Sequence, residues 1–516
     1  KPREITKEEI KQSIKDHAEA ARRAVEAGFD MIELSGIVGY LISTFISRYT
    51  NKRTDEYGGS IRDRCRLMVE IIQAVKAQVK DDVPVGIRLC GLELLDDRGG
   101  NTFDESLESF VVAQEAGVDY LSVTIGWHES SIPVITRDVP MGHWLYVAKE
   151  VKKVVNVPVM MAFRQFLPHI PEKAISEGII DFWEACRPMI ADPEIPNKVA
   201  SGREDEIIPC IACNLCFSRL YYHQPIMCSV RPSLGHEGEP EWGYYGFKKV
   251  DKPKKIVVIG GGPSGLQCAS IAAKRGHKVK LFEKNHKLGG AVNLASKVDA
   301  GEEELLRPIK YLEGECRRAG VDIKTGIEVS PDMIKKEIIN EAIDAVVVAA
   351  GARVKRFNNL PEHMIFTYKD IIGKEKIPPK NSVIIGGSGI GLALAVFLLR
   401  RGEYTLTIME EKSRLGKDVN PFYLWRFIQI LKKNKVNILI NSEIVKIQDN
   451  TLIVKSQKGE RTIHFEGLIL AEREDKAADF IYLKDYIDEI YFLGDAKKPR
   501  RLNNAIHDGF RLGMVI

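Results

Sequence analysis

Two glycine-rich loops constrain this chain most, because each lies where an apolar run ends and a helical pattern begins. The first is Gly260-Gly261-Gly262-Pro263-Ser264-Gly265, directly after Lys255-Ile-Val-Val-Ile259. The second is Gly386-Gly387-Ser388-Gly389-Ile390-Gly391, directly after Ser382–Ile385. Strand, tight glycine turn and helix together open a parallel βαβ unit whose backbone N–H groups can hold a pyrophosphate. In the first loop Gly260 permits the turn, Gly262 leaves backbone open to the ligand and Gly265 lets helix approach strand, with Ser264 in the same turn. Strand Lys278–Phe282 then ends in Glu283, where an acid can take a ribose hydroxyl pair. Gly289-Gly290 follows, and Asp495-Ala496 closes a late strand where the acid can hold a ribityl hydroxyl. That combination favours FAD at the first loop.

The second loop carries Ser388 where the fingerprint has glycine, which predicts hindered approach to a pyrophosphate. Its glycines Gly386, Gly389 and Gly391 are in place. Strand Thr405–Met409 ends in Glu410-Glu411, acids that repel a 2′-phosphate and favour NADH over NADPH.

Between the loops and the chain start lies a second strong signal. Four of the nine cysteines fall within nineteen residues: Cys210-Ile-Ala-Cys213-Asn-Leu-Cys216 and then Cys228. Three thiolates in tight steps plus one distant thiolate suit a 4Fe–4S cluster better than structural zinc, which prefers two separated pairs. The other five cysteines, Cys65, Cys90, Cys186, Cys268 and Cys316, read as buried, unreactive thiols. A clustered set of this kind in a long chain points to a reducing, cytoplasmic compartment rather than to disulfides.

Residues before the cysteines alternate strand and helix. Apolar β runs at 30–34, 84–89, 120–124, 157–162 and 180–185 are separated by helical patterns at 8–27, 64–79, 103–116 and 144–154, the spacing of parallel βαβ units. Polar residues at the predicted strand ends (Ser35, Arg88, Arg164, Arg187) suggest the active face of a TIM-type (β/α) barrel. Such a barrel has eight strands, and five are legible here. The expectation is that three units lie outside this sequence or that another chain supplies them. The whole therefore reads as an α/β protein: a partial barrel at 1–204, a cluster-bearing connector at 205–250, a first nucleotide-binding domain at 251–375 plus 480–516, and a second nested in it at 376–479. Lys+Arg 75 against Asp+Glu 71 leaves a net charge of +4, too small to argue for a nucleic-acid partner. No uninterrupted apolar stretch is long enough for a transmembrane segment.

Asn51-Lys-Arg-Thr-Asp-Glu-Tyr-Gly-Gly-Ser60, Arg187-Pro188, the cysteine set and the first glycine loop together resemble the iron–sulfur flavoenzymes related to old yellow enzyme. Glu33-Leu-Ser-Gly-Ile-Val-Gly-Tyr40 and Thr124-Ile-Gly-Trp-His128-Glu-Ser-Ser-Ile-Pro133 are most similar to 2,4-dienoyl-CoA reductase. The cysteine spacing and Gly494-Asp-Ala-Lys-Lys-Pro-Arg500 are closer to trimethylamine dehydrogenase. The resemblance implies that NADH reduces FAD, that the cluster passes single electrons, and that FMN delivers hydride to the C=C bond of an unsaturated acyl-CoA. It implies catalytic roles for Tyr40 as proton donor and His128 as its partner, and FMN contacts at Arg88, Arg164, Cys186 and Arg187. Two alternatives stand beside it. One is an amine dehydrogenase, whose cationic substrate needs an aromatic cage from residues such as Trp127 and Trp183. The other is an electron-transferring subunit whose half barrel docks a protein partner.

Overall fold

The computed structural model describes residues 3–244, 246–356, 362–457 and 459–516. They form two compact bodies: one runs to Ile135 and includes Val139–Arg187, and the other comprises Pro188–Ile516 with Thr136–Asp138.

The first body is a five-stranded parallel sheet, β1 (Ile32–Gly36), β2 (Val85–Leu92), β3 (Tyr120–Ile125), β4 (Val159–Met161) and β5 (Phe182–Trp183), paired in sequence order. That order is the winding of a β/α barrel. A doubly wound sheet reverses its order, whereas right-handed crossovers in strict succession put every helix on one face. The helices at Arg66–Gln78, Phe103–Glu115 and Leu145–Val154 cover that face, burying Leu67, Ile71, Val75, Phe110, Val147 and Val151 against Ile87, Leu121 and Val123. The opposite face carries polar groups instead, Glu33, Ser35, Arg88 and Ser122. Among the described residues β1 and β5 each keep one unpaired edge, and Phe29, Met31 and Phe182 beside them are largely exposed. Arg88 lies within β2 rather than at its end, opposite Ser35 and Ser122 in register. The sequence pattern predicts a run that stops at residue 89, which puts Arg88 at a strand end. β2 continues past it with Leu89, Cys90, Gly91 and Leu92.

Glu93, just beyond β2, is buried and ties two loops together by accepting from Ser47 Oγ (2.9 Å) and the Asn101 N–H (2.8 Å). Local signals explain the helix starts. Thr102 accepts from the Glu105 N–H (3.2 Å) while Glu105 accepts from the Thr102 N–H (2.9 Å), a reciprocal cap that satisfies two otherwise orphaned donors.

The second body contains two parallel sheets of the nucleotide-binding kind. The first has β6 (Lys255–Ile259), β7 (Lys278–Glu283), β8 (Asp322–Thr325), β9 (Ala345–Val348) and the late strand β20 (Glu489–Phe492), in the order β20-β9-β6-β7-β8. Between β9 and β20 the chain makes a short strand β10 (Arg353–Val354), which pairs with β19 (Arg473–Glu474). It then builds β11 (Ile365–Thr367), β12 (Asn381–Ile385), β13 (Thr405–Met409), β14 (Asn437–Leu439), an antiparallel meander β15–β17 (Ser442–Gln448, Thr451–Ser456, Gly459–His464) and β18 (Gly467–Leu470). The second sheet runs β11-β18-β12-β13-β14, with β11 as an edge that no local pattern announced. In both sheets the order reverses beside the strand that precedes a glycine loop, which is where open α/β sheets bind ligands. No helix among the described residues is long and apolar enough to cross a membrane.

Candidate functional site

In the first body a single parallel bridge, Val38 to Trp127, registers the loop after β1 with the loop after β3. Tyr40 and His128 therefore emerge side by side, ring centroids 5.7 Å apart and 84° between planes. Ser43 holds the loop in place by donating to the carbonyls of Ile37 and Tyr40, both at 2.8 Å, and by accepting from the Gly39 N–H. Tyr40 is 53% exposed, so packing does not account for it.

Arg88 reaches across the sheet face to two carboxylates, Glu33 at 2.9 Å and Glu184, which also accepts from Ser122 Oγ at 2.8 Å. Arg164 follows β4 in a left-handed conformation (φ 57°), fully buried, with Nε donating to the Val139 carbonyl at 2.8 Å. Its guanidinium lies 5.1 Å from the Phe166 ring centroid, and that of Arg187, just after β5, lies 4.9 Å from the same ring. Two cations converging on one ring at the last two strands form an anion-seeking corner, as the phosphate sites of β/α barrels do. Cys186 beside them is exposed, unlike Cys65, Cys90, Cys268 and Cys316, so the expectation of five buried thiols fails at this one. The chain turns outward there, between a two-residue strand and a short helix. Arg88 Nε, Trp127 Nε1, Gln165 Oε1 and Trp183 Nε1 are buried polar atoms without a hydrogen-bond partner in the protein. Four such atoms on or just after β2–β5 fit a polar ligand such as FMN.

The cysteines lie in the second body. Cys210, Cys213 and Cys228 share one small apolar cluster with Ile211, Val230 and Ile506, while Cys216 stands in the first turn of the helix Leu215–Tyr221. Cys213 Sγ is 3.1 Å from Ser229 Oγ. Burial pushes the Cys228 thiol up, and the neighbouring Cys213 adds to this. Among the described residues no group of three or more His, Cys, Asp or Glu side chains is arranged to hold a metal ion. Neutral thiols have nothing to draw them together, and thiolates repel. The donor chemistry itself, four thiols of which three share a small apolar cluster, fits an iron–sulfur cluster.

The two glycine loops are built alike. Gly260 has φ 113°, and a Cβ there would lie 2.3 Å from the Ala349 carbonyl oxygen, so no side chain is possible. Gly262 begins the helix Pro263–Lys274 with nothing within 4 Å of where a Cβ would be, an open cradle that fits a pyrophosphate. Gly265 sits against the Gly260 carbonyl, and Gly290 against the Gly262 backbone. Ser264 is buried in the first helical turn. Glu283 ends β7 with both oxygens engaged, by the N–H groups of Gly261 (2.8 Å) and Asn285 (2.9 Å). Glu410 repeats this after β13, accepting from Gly387 and Lys412, each at 2.9 Å. Gly386 (φ 104°) and Gly391, against the Gly386 carbonyl, mirror Gly260 and Gly265, and Gly389 opens the helix Gly389–Leu399. Ser388 has φ −69° and ψ 178°, nearly those of Gly262 (−80°, 179°), so its backbone needs no glycine. Asp495 is paired with Arg473 and accepts the Arg500 N–H at 2.9 Å, and Ala496 is buried beside it.

Sequence reasoning missed Arg137. Its backbone N–H donates to Tyr423 Oη (3.0 Å), its guanidinium to both Glu302 oxygens (3.0 and 2.9 Å) and to the Ile211 carbonyl (3.2 Å), next to Cys210. It also missed Glu184 and Phe166. No local pattern marks these residues, because their partners are distant in sequence.

Residues 1–206 match the sequence model of the NADH:flavin oxidoreductase / NADH oxidase family, and residues 254–472 match that of pyridine nucleotide-disulphide oxidoreductases. The chain is 31% identical to a metal reductase of Desulforamulus reducens, over 99% of this chain and 80% of that protein. It is 30% identical to a cinnamate reductase of Clostridium sporogenes, over 100% of this chain and 78% of that one. The solved structure of 2-naphthoyl-CoA reductase in complex with 2-naphthoyl-CoA superposes with a TM-score of 0.90 at 35% identity, covering all of this chain and 77% of that one.

Proposed function

We infer the activity from kinship: the chain belongs to the NADH:flavin oxidoreductase / NADH oxidase family, in the branch related to 2,4-dienoyl-CoA reductase, with a pyridine nucleotide-disulphide oxidoreductase region following the barrel strands in the sequence. It is an NADH-dependent FMN/FAD flavin oxidoreductase. Our proposal is that its acceptor is the C=C bond of an unsaturated acyl- or aryl-CoA thioester, and that electrons pass from NADH through FAD and a 4Fe–4S cluster to FMN.

The pairing of Tyr40 with His128 carries this reading. When bound, the flavins and the cluster would supply hydride and single-electron transfer. Reduction of a conjugated thioester also needs an acid that protonates carbon. Tyr40 holds that proton on its phenolic oxygen, at an exposed loop corner within reach of a substrate. His128 packs on its edge, orients the phenol and can polarise a thioester carbonyl. Arg164 and Arg187 would bind the FMN phosphate and Arg88 its ring, Cys210, Cys213, Cys216 and Cys228 the cluster, and the two glycine loops FAD and NADH. The similarity to a 2-naphthoyl-CoA reductase and a cinnamate reductase supports an unsaturated, conjugated acceptor. An amine dehydrogenase needs an aromatic cage for its cation, to which Trp127 and Trp183 could contribute, but the adjacent Tyr40 and His128 supply the acid and polarising partner that C=C reduction needs.

The test is cofactor content followed by anaerobic turnover. FMN and FAD in equal amounts with about four irons per chain, and NADH oxidation coupled to a dienoyl-, cinnamoyl- or naphthoyl-CoA, support the proposal. FAD without FMN, or turnover with amines alone, defeats it.

A further inference from the structure

The two glycine loops, alike in backbone, differ within the loop at Gly262/Ser388, Pro263/Gly389 and Ser264/Ile390, and again in the segment that returns to the phosphate end. In each site a following segment returns to the loop through the same bond: Gly289 N–H to the Gly261 carbonyl, and Gly416 N–H to the Gly387 carbonyl, both 2.8 Å. That bond aligns Gly289-Gly290-Ala291 with Gly416-Lys417-Asp418. The first site thus presents an uncharged alanine where the second presents a carboxylate.

Asp418 uses it. Its Oδ1 accepts the Gly389 N–H at 2.9 Å, and its Oδ2 lies 3.2 Å from where a Cβ on Gly389 would be. Gly389 opens an eleven-residue helix whose N-cap, Ser388, makes no side-chain cap of its own. Arg501 faces Asp418 closely enough to feel its charge, and both line a cavity of about 620 Å³ with Ser388, Glu410 and Arg500. A helix-start N–H beside an arginine, at the turn after a nucleotide-binding strand, is where the pyrophosphate of a dinucleotide is held. Here that donor is already taken by an anion of the chain itself. Two anions cannot share one N–H, and within a few ångströms they repel strongly in a partly desolvated cavity.

We propose that Asp418 is an intramolecular stand-in for the pyrophosphate, and that NADH enters the second site by displacing it. The proposal rests on reading the second loop as the pyridine-dinucleotide site. The side chain then sets the affinity of that site, keeping NADH binding weaker than the loop geometry alone allows and easing the departure of NAD⁺.

The test uses the flavin-loaded enzyme, reduced beforehand and kept anaerobic so that NADH binds without being oxidised, and calorimetric titration with NADH, ADP-ribose and adenosine. Asp418→Ala is expected to tighten NADH and ADP-ribose about tenfold, the weight of a charge-assisted hydrogen bond, and to leave adenosine, which lacks phosphate, within about twofold. Asp418→Asn, which keeps the shape and one acceptor oxygen, is expected to give a smaller gain in the same direction, and it serves if the alanine variant folds poorly. Unchanged or weaker ADP-ribose binding in both variants, with wild-type binding intact, overturns the proposal alone. An equal gain for adenosine overturns it too, since the effect would not be on phosphate. If no protein, wild type included, binds NADH or ADP-ribose, the dinucleotide reading of the second loop falls and the proposal with it.

Discussion

Tyr40 and His128 meet edge to face, 5.7 Å between ring centroids, although 88 residues lie from one to the other in the chain. The Val38–Trp127 bridge makes the meeting possible, so the pair is a product of two loops registered two residues and one residue upstream.

Tyr40→Phe keeps the ring and removes the transferable proton. Reoxidation of the reduced enzyme by a dienoyl-CoA should slow roughly 10²–10⁴-fold, the usual weight of general acid catalysis, while flavin content is unchanged. His128→Ala should cost less, and the double variant much less than the product of the two. Stopped-flow reoxidation measures all three. A wild-type rate in Tyr40→Phe would move the proton donor elsewhere.

Cys213→Ala should abolish iron–sulfur absorbance and end NADH-driven reduction of substrate. Reduction of FAD by NADH should persist, because both glycine loops lie outside the connector. Iron analysis and anaerobic spectra check this, and turnover without iron would refute the single-electron relay.

Cofactor choice follows from Glu410 and Glu411. Two carboxylates near a 2′-phosphate should lower kcat/KM for NADPH roughly ten- to a hundredfold relative to NADH. Because Glu410 also anchors Gly387 and Lys412 through backbone bonds, Glu410→Ala should weaken both nucleotides and narrow the ratio. Equal kcat/KM values in the wild-type enzyme would remove the argument.

Arg137 and Glu302 form an ion pair whose side chains are 10% and 17% exposed. Arg137→Met should lower stability by about 3 kcal/mol, since it leaves a buried carboxylate without its partner. Urea unfolding of the second body's transition reads it. A loss below about 1 kcal/mol, the range of a surface pair, would show that Glu302 finds water instead.

Burial pushes the Glu93 carboxyl up from its ordinary value of 4.5, against the opposing hydrogen bonds from the Asn101 N–H and Ser47. Above 4.5 the unfolded chain gives up this proton first, so stability falls as pH rises until the folded group ionises too. Glu93→Gln should flatten that part of the stability–pH curve, recorded as denaturation midpoints from pH 4 upward. An unchanged slope would assign it to another group.

Much of the architecture is legible in the chain because it is encoded locally. Apolar runs and helical periods mark the five barrel strands and their helices to within a few residues. Glycines with an acid at the next strand end mark both nucleotide loops, since only glycine tolerates φ near 110° against a carbonyl, as at Gly260. The cysteine set is equally visible from spacing alone. The tertiary structure decided what spacing cannot carry. It placed Arg88 in mid-strand between two carboxylates, put Arg164 and Arg187 on one ring, sent Arg137 to Tyr423 across 286 residues, and turned Asp418 onto Gly389. Such contacts join residues with no shared periodicity. They form only when sheets and loops have already packed, because a buried charge must then find whatever partner the fold has brought within reach.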